Sequence, residues 1–387
     1  MLQLAGFAAL AALLGLVPLP WAALTLIGVG LALAVAVRPG FGLIALALLL
    51  PFGGVMPLPA GGGNAVDLLA AMIAASWLAG QIARRKIIFR PPPLTNSLAL
   101  LLWSAGLSLT VAASWAEGAP ELLKWAEFAL LYVAATHILT TRGQLHWVIG
   151  ALVAAGLAQV ALGAYQFWGR VGPPAFALAD GFVRAHGTLR QPNPYAGYLG
   201  YLAPAAASLA IAGLARWIER RERRALVGGL IYSAAAATLI AGIGMSWSRG
   251  GWLALVAALA VVSGLRSRRT ALLALAVVVA LALIVGLAGV AWLPGPIAGR
   301  LQDLGDYFGG PDPARTEIND ANFAVLERLA HWRAGLDMFA DRPWLGVGIG
   351  NYSVAYADYA PPHWYEPLGH AHNIFINFLA ETGVIGG

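Results

Sequence analysis

The chain predicts an all-α fold, a polytopic membrane helical bundle of about twelve transmembrane helices with one large external loop, organised as a single transmembrane domain over residues 1–387. Three observations carry this expectation. Hydrophobic residues make up 59% of the chain and charged ones only 11%, with a mean hydropathy of +0.73, far from the composition of a soluble globular domain. Apolar runs of roughly 17 to 25 residues, long enough to cross a bilayer, recur along nearly the whole length. Stretches such as "ALLALAVVVALALIVGLAGVAWL" are apolar on every side, as a lipid-surrounded helix is, and lack the alternation of a barrel strand.

The length rule places helices at about residues 3 to 18, 21 to 37, 41 to 57, 65 to 82, 96 to 114, 119 to 140, 144 to 167, 194 to 217, 225 to 246, 250 to 265, 270 to 293 and 371 onward. The opening "MLQLAGFAALAALLGLVPLP" has no basic segment before its apolar core, so it reads as a first membrane helix rather than a cleaved leader. The absence of cysteine excludes disulfides, thiolate catalysis and cysteine metal sites.

Basic residues then set the topology. Arg38, the group Arg84, Arg85, Lys86 and Arg90, Arg142, the run "RWIERRERR", and Arg266, Arg268 and Arg269 fall on alternate loops. The positive-inside rule makes these cytoplasmic and puts the N-terminus inside. The pI of 9.8 therefore says little about nucleic acid, and no nucleic-acid partner is expected. Ten cations, Lys124, Arg170, Arg184, Arg190, Arg249, Arg300, Arg315, Arg328, Arg333 and Arg342, fall on the outer side against this tendency. An external anion would account for them, as would simple neutralisation of external acids.

Residues 294–370 form the external loop. Within it "ANFAVLERLAHWRAGLDMFADRP" predicts an amphipathic helix whose apolar face is Val325, Leu326, Leu329, Trp332, Leu336, Phe339 and Ala340. The following "GVGIGNY" has no preceding strand and reads as a flexible turn rather than a dinucleotide loop.

Four clusters share the external level: Arg184, His186, Thr188, Arg190 and Asn193; Arg249 at a tight Gly-Gly break between two helices; Arg328 with "RPWLGVGIGNY"; and "GHAHNIFINFLAETGVIGG". A guanidinium forks onto phosphate oxygens, and helix N-terminal amides add to the attraction. Each arginine could equally be a snorkelling or solvated charge. His370 or His372 could act as general base toward a hydroxyl, oriented by Asn373 or a carboxylate. If the helix has begun, the two histidines diverge. A zinc site from His363, His370 and His372 matches no standard spacing, and no metal or cofactor is expected. Glu381, midway along the last apolar run, needs an interior partner, and Lys124 with Glu127 reads as an i,i+3 pair.

These motifs resemble the O-antigen ligase and polymerase superfamily of bacterial inner membranes. His372 and Asn373, nine residues, Gly383, then Gly386 and Gly387 match its histidine motif, and Arg249 with Leu253 matches its arginine motif. "GTLRQPNPYAGYL" and "RPWLGVGIGNY" are similar to its other recurrent blocks. The resemblance implies a GT-C-like membrane glycosyltransferase of the bacterial inner membrane. It would take a glycan from undecaprenyl pyrophosphate and pass it to a lipid or glycolipid acceptor hydroxyl, lipid A-core or another surface acceptor, at the periplasmic side, with inversion and no required metal. Arg184 and Arg249 would hold the pyrophosphate and His372 would be the base, with Arg190, Arg328, Asn193, His370 and Asn373 as further substrate-binding candidates. The family usually continues past this motif, so the chain is either a fragment or has a short last helix. A polymerase of the same superfamily, or a transporter of anionic solutes with Arg249 and Glu381 along its path, are the alternative readings.

Overall fold

A computed structural model describes residues 19–57, 63–85, 89–178, 181–288, 311–319 and 322–387. Among them the fold is helical, with no strand beyond the isolated bridges Pro57 to Asn64 and Ala177 to Val183. The helix expected at residues 3 to 18 lies outside the described residues. The chain divides into two compact units, one from residues 1–90 and 134–272, the other from 91–133 and 273–387.

The first unit holds α1 (Leu19–Val37), α2 (Pro39–Leu49), α3 (Ala65–Ala83), the last turn of α5 (Trp115–Ile138), α6 (Arg142–Gly169), α7 (Pro192–Arg220), α8 (Arg223–Met245) and α9 (Arg249–Arg266). Five of these, α3, α6, α7, α8 and α9, are long and apolar enough to cross a membrane by length and composition. The apolar segments of α1 and α2, and two in the second unit, are shorter. The helix expected at 41 to 57 gives way at Leu50 to a 3-10 stretch, Leu50–Val55, because Pro51 cannot supply the next helical N–H.

Small residues let these helices approach closely, as they do where lipid supplies no hydrophobic push between helices. Gly213 on α7 lies against the backbone of Gly229 on α8. Towards the other end of the same helix pair Tyr195, Leu199, Leu239 and Ile243 are fully buried and form the core of the unit. Asn64 begins α3 with a reciprocal cap: its Oδ1 accepts from the Val66 and Asp67 N–H groups, while Asp67 accepts from the Asn64 N–H.

The second unit contains α4 (Thr95–Leu109), most of α5, and α10 (Arg268–Ala288), which begins in the first unit. Three shorter helices follow: α11 (Phe323–Asp341), α12 (Tyr352–Tyr359) and α13 (Ile374–Gly386). The amphipathic helix exists, but it buries a different face from the one its large side chains suggest. Val325, Leu326, Ala330, His331, Ala334, Gly335 and Met338 are buried, whereas Leu336 and Ala340 are exposed and Leu329, Trp332 and Phe339 half-buried. Small residues face the protein because α13 packs directly against this side. Lys124 pairs with Glu121 at 2.9 Å.

The segment 342–352, exposed at its start and buried from Gly346 to Ile349, is a turn docked onto α13 by backbone hydrogen bonds: Val347 N–H to the Ala380 carbonyl (2.9 Å), Gly348 N–H to the Glu381 carbonyl (2.9 Å) and Val384 N–H to the Pro343 carbonyl (2.8 Å). Two glycines permit the approach. Gly346 has φ +66° with the Glu381 carbonyl carbon 2.5 Å from where a Cβ would stand, and Gly383 has φ +61° against the Trp344 backbone. Asn351, fully buried, ties the same turn to Ser114 by accepting its N–H (2.7 Å) and donating to its carbonyl (3.0 Å). Glu381 finds its interior partner here, accepting the Tyr352 N–H at 3.1 Å.

Gly346→Ala is expected to destabilise the protein by ~1–3 kcal/mol, since alanine must hold a left-handed conformation against backbone. Gly228→Ala, with no heavy atom within 4 Å of the added Cβ, should not lower the thermal midpoint in detergent. Equal midpoints for the two variants would refute the account of this turn.

Candidate functional site

Two polar clusters hold the candidate residues, one in each unit. In the first unit, the loop between α6 and α7 hangs from two glutamines that sequence reading did not single out. Gln159 and Gln166 are buried on one face of an otherwise apolar helix, seven residues apart. Gln166 accepts the N–H groups of His186 (3.1 Å) and Gly187 (2.7 Å) and donates to the Gly187 carbonyl (3.0 Å). Gln159 accepts the Thr188 N–H (2.9 Å) and donates to the Thr188 hydroxyl (2.9 Å), which in turn donates to the Pro51 carbonyl (2.5 Å). The signal was the spacing: two amides at i and i+7 in a membrane-length apolar helix must face one polar partner.

So held, the loop places Arg184 against the turn between α8 and α9. Its Nε donates to the Ser246 carbonyl (2.9 Å), and one terminal nitrogen reaches the Trp247 carbonyl (3.5 Å) and Asn193 Oδ1 (3.4 Å). The Ser248 hydroxyl donates to the same Asn193 oxygen (2.8 Å) and accepts the Gly251 N–H (3.2 Å), capping α9. Arg249 is the first residue of that helix and is half-buried. The break thus lies at Ser246–Ser248, with Trp247 at φ 51°, and Gly250 and Gly251 belong to the helix. The structure brings Arg184, Asn193 and the Arg249 turn together. Arg190 is exposed and separately tied to the Gly54 carbonyl at 2.8 Å.

In the second unit, His370 and His372 both precede α13, so the divergence expected of helical i and i+2 residues does not arise. Their rings meet edge to face at 4.5 Å, and His370 Nδ1 accepts the His372 N–H at 3.0 Å. Asn373 commits its Oδ1 to the N–H groups of Phe375 (3.0 Å) and Ile376 (3.3 Å), capping the helix.

A third histidine, His331 of α11, completes the cluster and was missed in the sequence. Only 1% exposed, it stacks on Tyr356 at 4.6 Å and meets the His372 ring at 5.3 Å. The Tyr352 hydroxyl lies 3.0 Å from both the His331 carbonyl and His331 Nδ1. One hydroxyl proton cannot serve both, so donation to the carbonyl leaves Nδ1 as the donor to the hydroxyl oxygen. Its spacing of three from Arg328 was the available clue.

Burial pushes the His372 imidazole down to about 4, reinforced by His370, His331 and Arg328. Burial and His370 likewise lower His331 to about 4. His372 is therefore neutral near pH 7, and its Nε2 is buried with no hydrogen-bond partner among the described residues. A neutral imidazole with a vacant ring nitrogen can accept a proton. Among the described residues no three His, Cys, Asp or Glu side chains are placed to share a metal ion.

Gln166→Leu leaves the His186 and Gly187 N–H groups without their acceptor, at ~1–3 kcal/mol for each buried group. Faster amide hydrogen exchange at residues 186–188 is the expected result. Unaltered exchange there would show that the glutamine does not hold the loop.

No curated protein matches the chain. Residues 234–387, which include the Arg249 turn and the histidine cluster, match a family model described as O-antigen ligase.

Proposed function

We propose that the protein is a ligase-type membrane glycosyltransferase, moving a glycan from undecaprenyl pyrophosphate to the hydroxyl of a lipid or glycolipid acceptor, such as lipid A-core, on the external leaflet of the bacterial inner membrane. The family match supports action of the O-antigen ligase or polymerase type. The observation that carries the finer reading is Arg184, held by main-chain carbonyls beside a capped helix whose first residue is Arg249. This is fixed positive charge at a helix N-terminus, the arrangement that suits a pyrophosphate.

Each role is argued within its own unit. In an inverting transfer the acceptor oxygen attacks the anomeric carbon while the bond from that carbon to the pyrophosphate oxygen breaks. Negative charge grows on the leaving pyrophosphate, and the acceptor hydroxyl loses a proton. Arg184 and Arg249 stabilise that growing charge, and because Arg184 is already oriented by carbonyls, little reorganisation accompanies the step. Asn193, which shares an oxygen with Arg184 and Ser248, fixes the turn. In the second unit His372 takes the proton at its Nε2. Arg328 and His370 bear on substrate and on the base, and Asn373 sets the direction of the helix behind them.

In liposomes with lipid-pyrophosphate-linked glycan, acceptor and chelator, Arg184→Ala and Arg249→Ala are expected to lower transfer ~10²- to 10³-fold. His372→Ala should lower it ~10²- to 10⁴-fold. Full transfer by any folded, inserted variant would sink that residue's role. Dependence on a distinct acceptor marks a ligase, whereas a ladder built from donor alone marks a polymerase.

The pH dependence follows from burial. A base whose ordinary value of 6.5 is lowered to about 4 stays unprotonated through neutral pH and is lost only as pH falls through the lower value. The kcat/KM profile, which reports the free enzyme, should therefore be flat from about pH 8 to about pH 5 and fall below that. An acid limb centred near 6.5 would contradict the proposed setting of His372.

A further inference from the structure

Away from these clusters, the first unit contains a cavity of about 610 Å³ between the end of α1, the start of α2, the end of α3, the last turn of α5 and the start of α6. Its charged lining is Arg38 and Arg84, and among the described residues no acidic side chain lines it. The remaining walls are aromatic and apolar apart from the uncharged polar side chains of Ser76, Gln81, Thr140 and Gln144 and the ring of His137. His137 accepts the Arg90 N–H at Nε2 (3.1 Å), so that nitrogen carries no proton, and its ring leans on Trp77 at 5.3 Å. Phe41 and Trp147 line the cavity while standing exposed, Trp147 at 71%.

Orientation alone would explain arginines at these helix ends, since the positive-inside tendency marks both this region and the loop between α7 and α8 as basic. The second region shows what orientation alone leaves behind. There a cavity lined by Arg216, Arg220 and Arg266 also contains Glu219 and Glu222, so its cations are compensated by the chain itself. The Arg38 and Arg84 cavity has no such compensation, and its aromatic walls continue into exposed apolar surface. Two cations at one end of a cavity with apolar flanks match an amphiphile that carries an anionic head.

We propose that this cavity is a binding site for an anionic phospholipid. The phosphodiester lies between the guanidinium groups of Arg38 and Arg84, and the acyl chains run along Phe41 and Trp147. Guanidinium recognises phosphate oxygens by forked hydrogen bonds, and exposed tryptophan at headgroup level is an ordinary companion of such sites. The site is independent of the transfer chemistry.

The experiment is native mass spectrometry of the full chain, delipidated and titrated with phosphatidylglycerol or phosphatidylcholine. Each cation near a membrane surface is worth about a fivefold preference for anionic lipid, so Arg38→Gln with Arg84→Gln should lower phosphatidylglycerol retention roughly 25-fold relative to phosphatidylcholine. Arg216→Gln with Arg220→Gln should leave the preference intact. Both pairs replace exposed side chains, and thermal midpoints report whether each variant is folded. Trp147→Ala should weaken both lipids together. Retained preference in the Arg38 and Arg84 variant, or an equal loss in the Arg216 and Arg220 variant, would overturn the proposal. So would complete displacement of phosphatidylglycerol by millimolar inorganic phosphate, which would make this a site for a free anion.

Discussion

A chain this apolar must satisfy its polar groups from within, because neither lipid nor a packed helical core offers water to an orphaned N–H or carbonyl. The buried glutamines of α6 meet this constraint for the loop that carries Arg184. Every polar atom of the Gln166 amide is turned on backbone at His186 and Gly187, and Gln159 serves the N–H and the hydroxyl of Thr188. The loop conformation thus belongs as much to α6 as to its own residues, and Arg184 inherits its position from it.

The second unit answers the same constraint with backbone. The turn at 342–352 docks its own N–H groups on the carbonyls of α13 and its asparagine on Ser114, and Glu381 receives the Tyr352 N–H. This contact explains the spacing of the histidine motif. Asn373 caps the helix, residues 374–382 are its body, and Gly383 stands where the chain must turn left-handed against Trp344. Nine residues separate the asparagine from the glycine because that is the length of helix between cap and docking point.

Charge is treated in opposite ways in the two clusters. Arg184 is oriented by the Ser246 and Trp247 carbonyls and remains a cation, a fixed electrostatic element. His331 and His372 are pressed together and buried, which disfavours their charged forms. Elements that stabilise developing charge and elements that accept a proton require these contrary settings.

Several features were legible in the residues themselves. Helical class, the membrane character of long apolar segments and the residues of the resembling motifs all follow from composition, run length and spacing, which are local and additive. The existence of an amphipathic helix near residues 323–341 was equally readable, but its buried face was not. A hydrophobic pattern reports where large apolar groups lie, and in a chain with so much exposed apolar surface the packed side is chosen by the small residues that let helices touch. His331 escaped notice for this reason, since only the packing of α11 brings it to His372. The capping role of Asn373 was not legible, and the glycine-rich turn read as flexible became a docked segment, because both depend on which N–H groups need acceptors after folding. The sequence by itself determined which residues could carry charge or accept a proton. The tertiary structure decided which carbonyls orient Arg184 and which rings crowd His372, because those partners lie far away in the chain and are set only by packing.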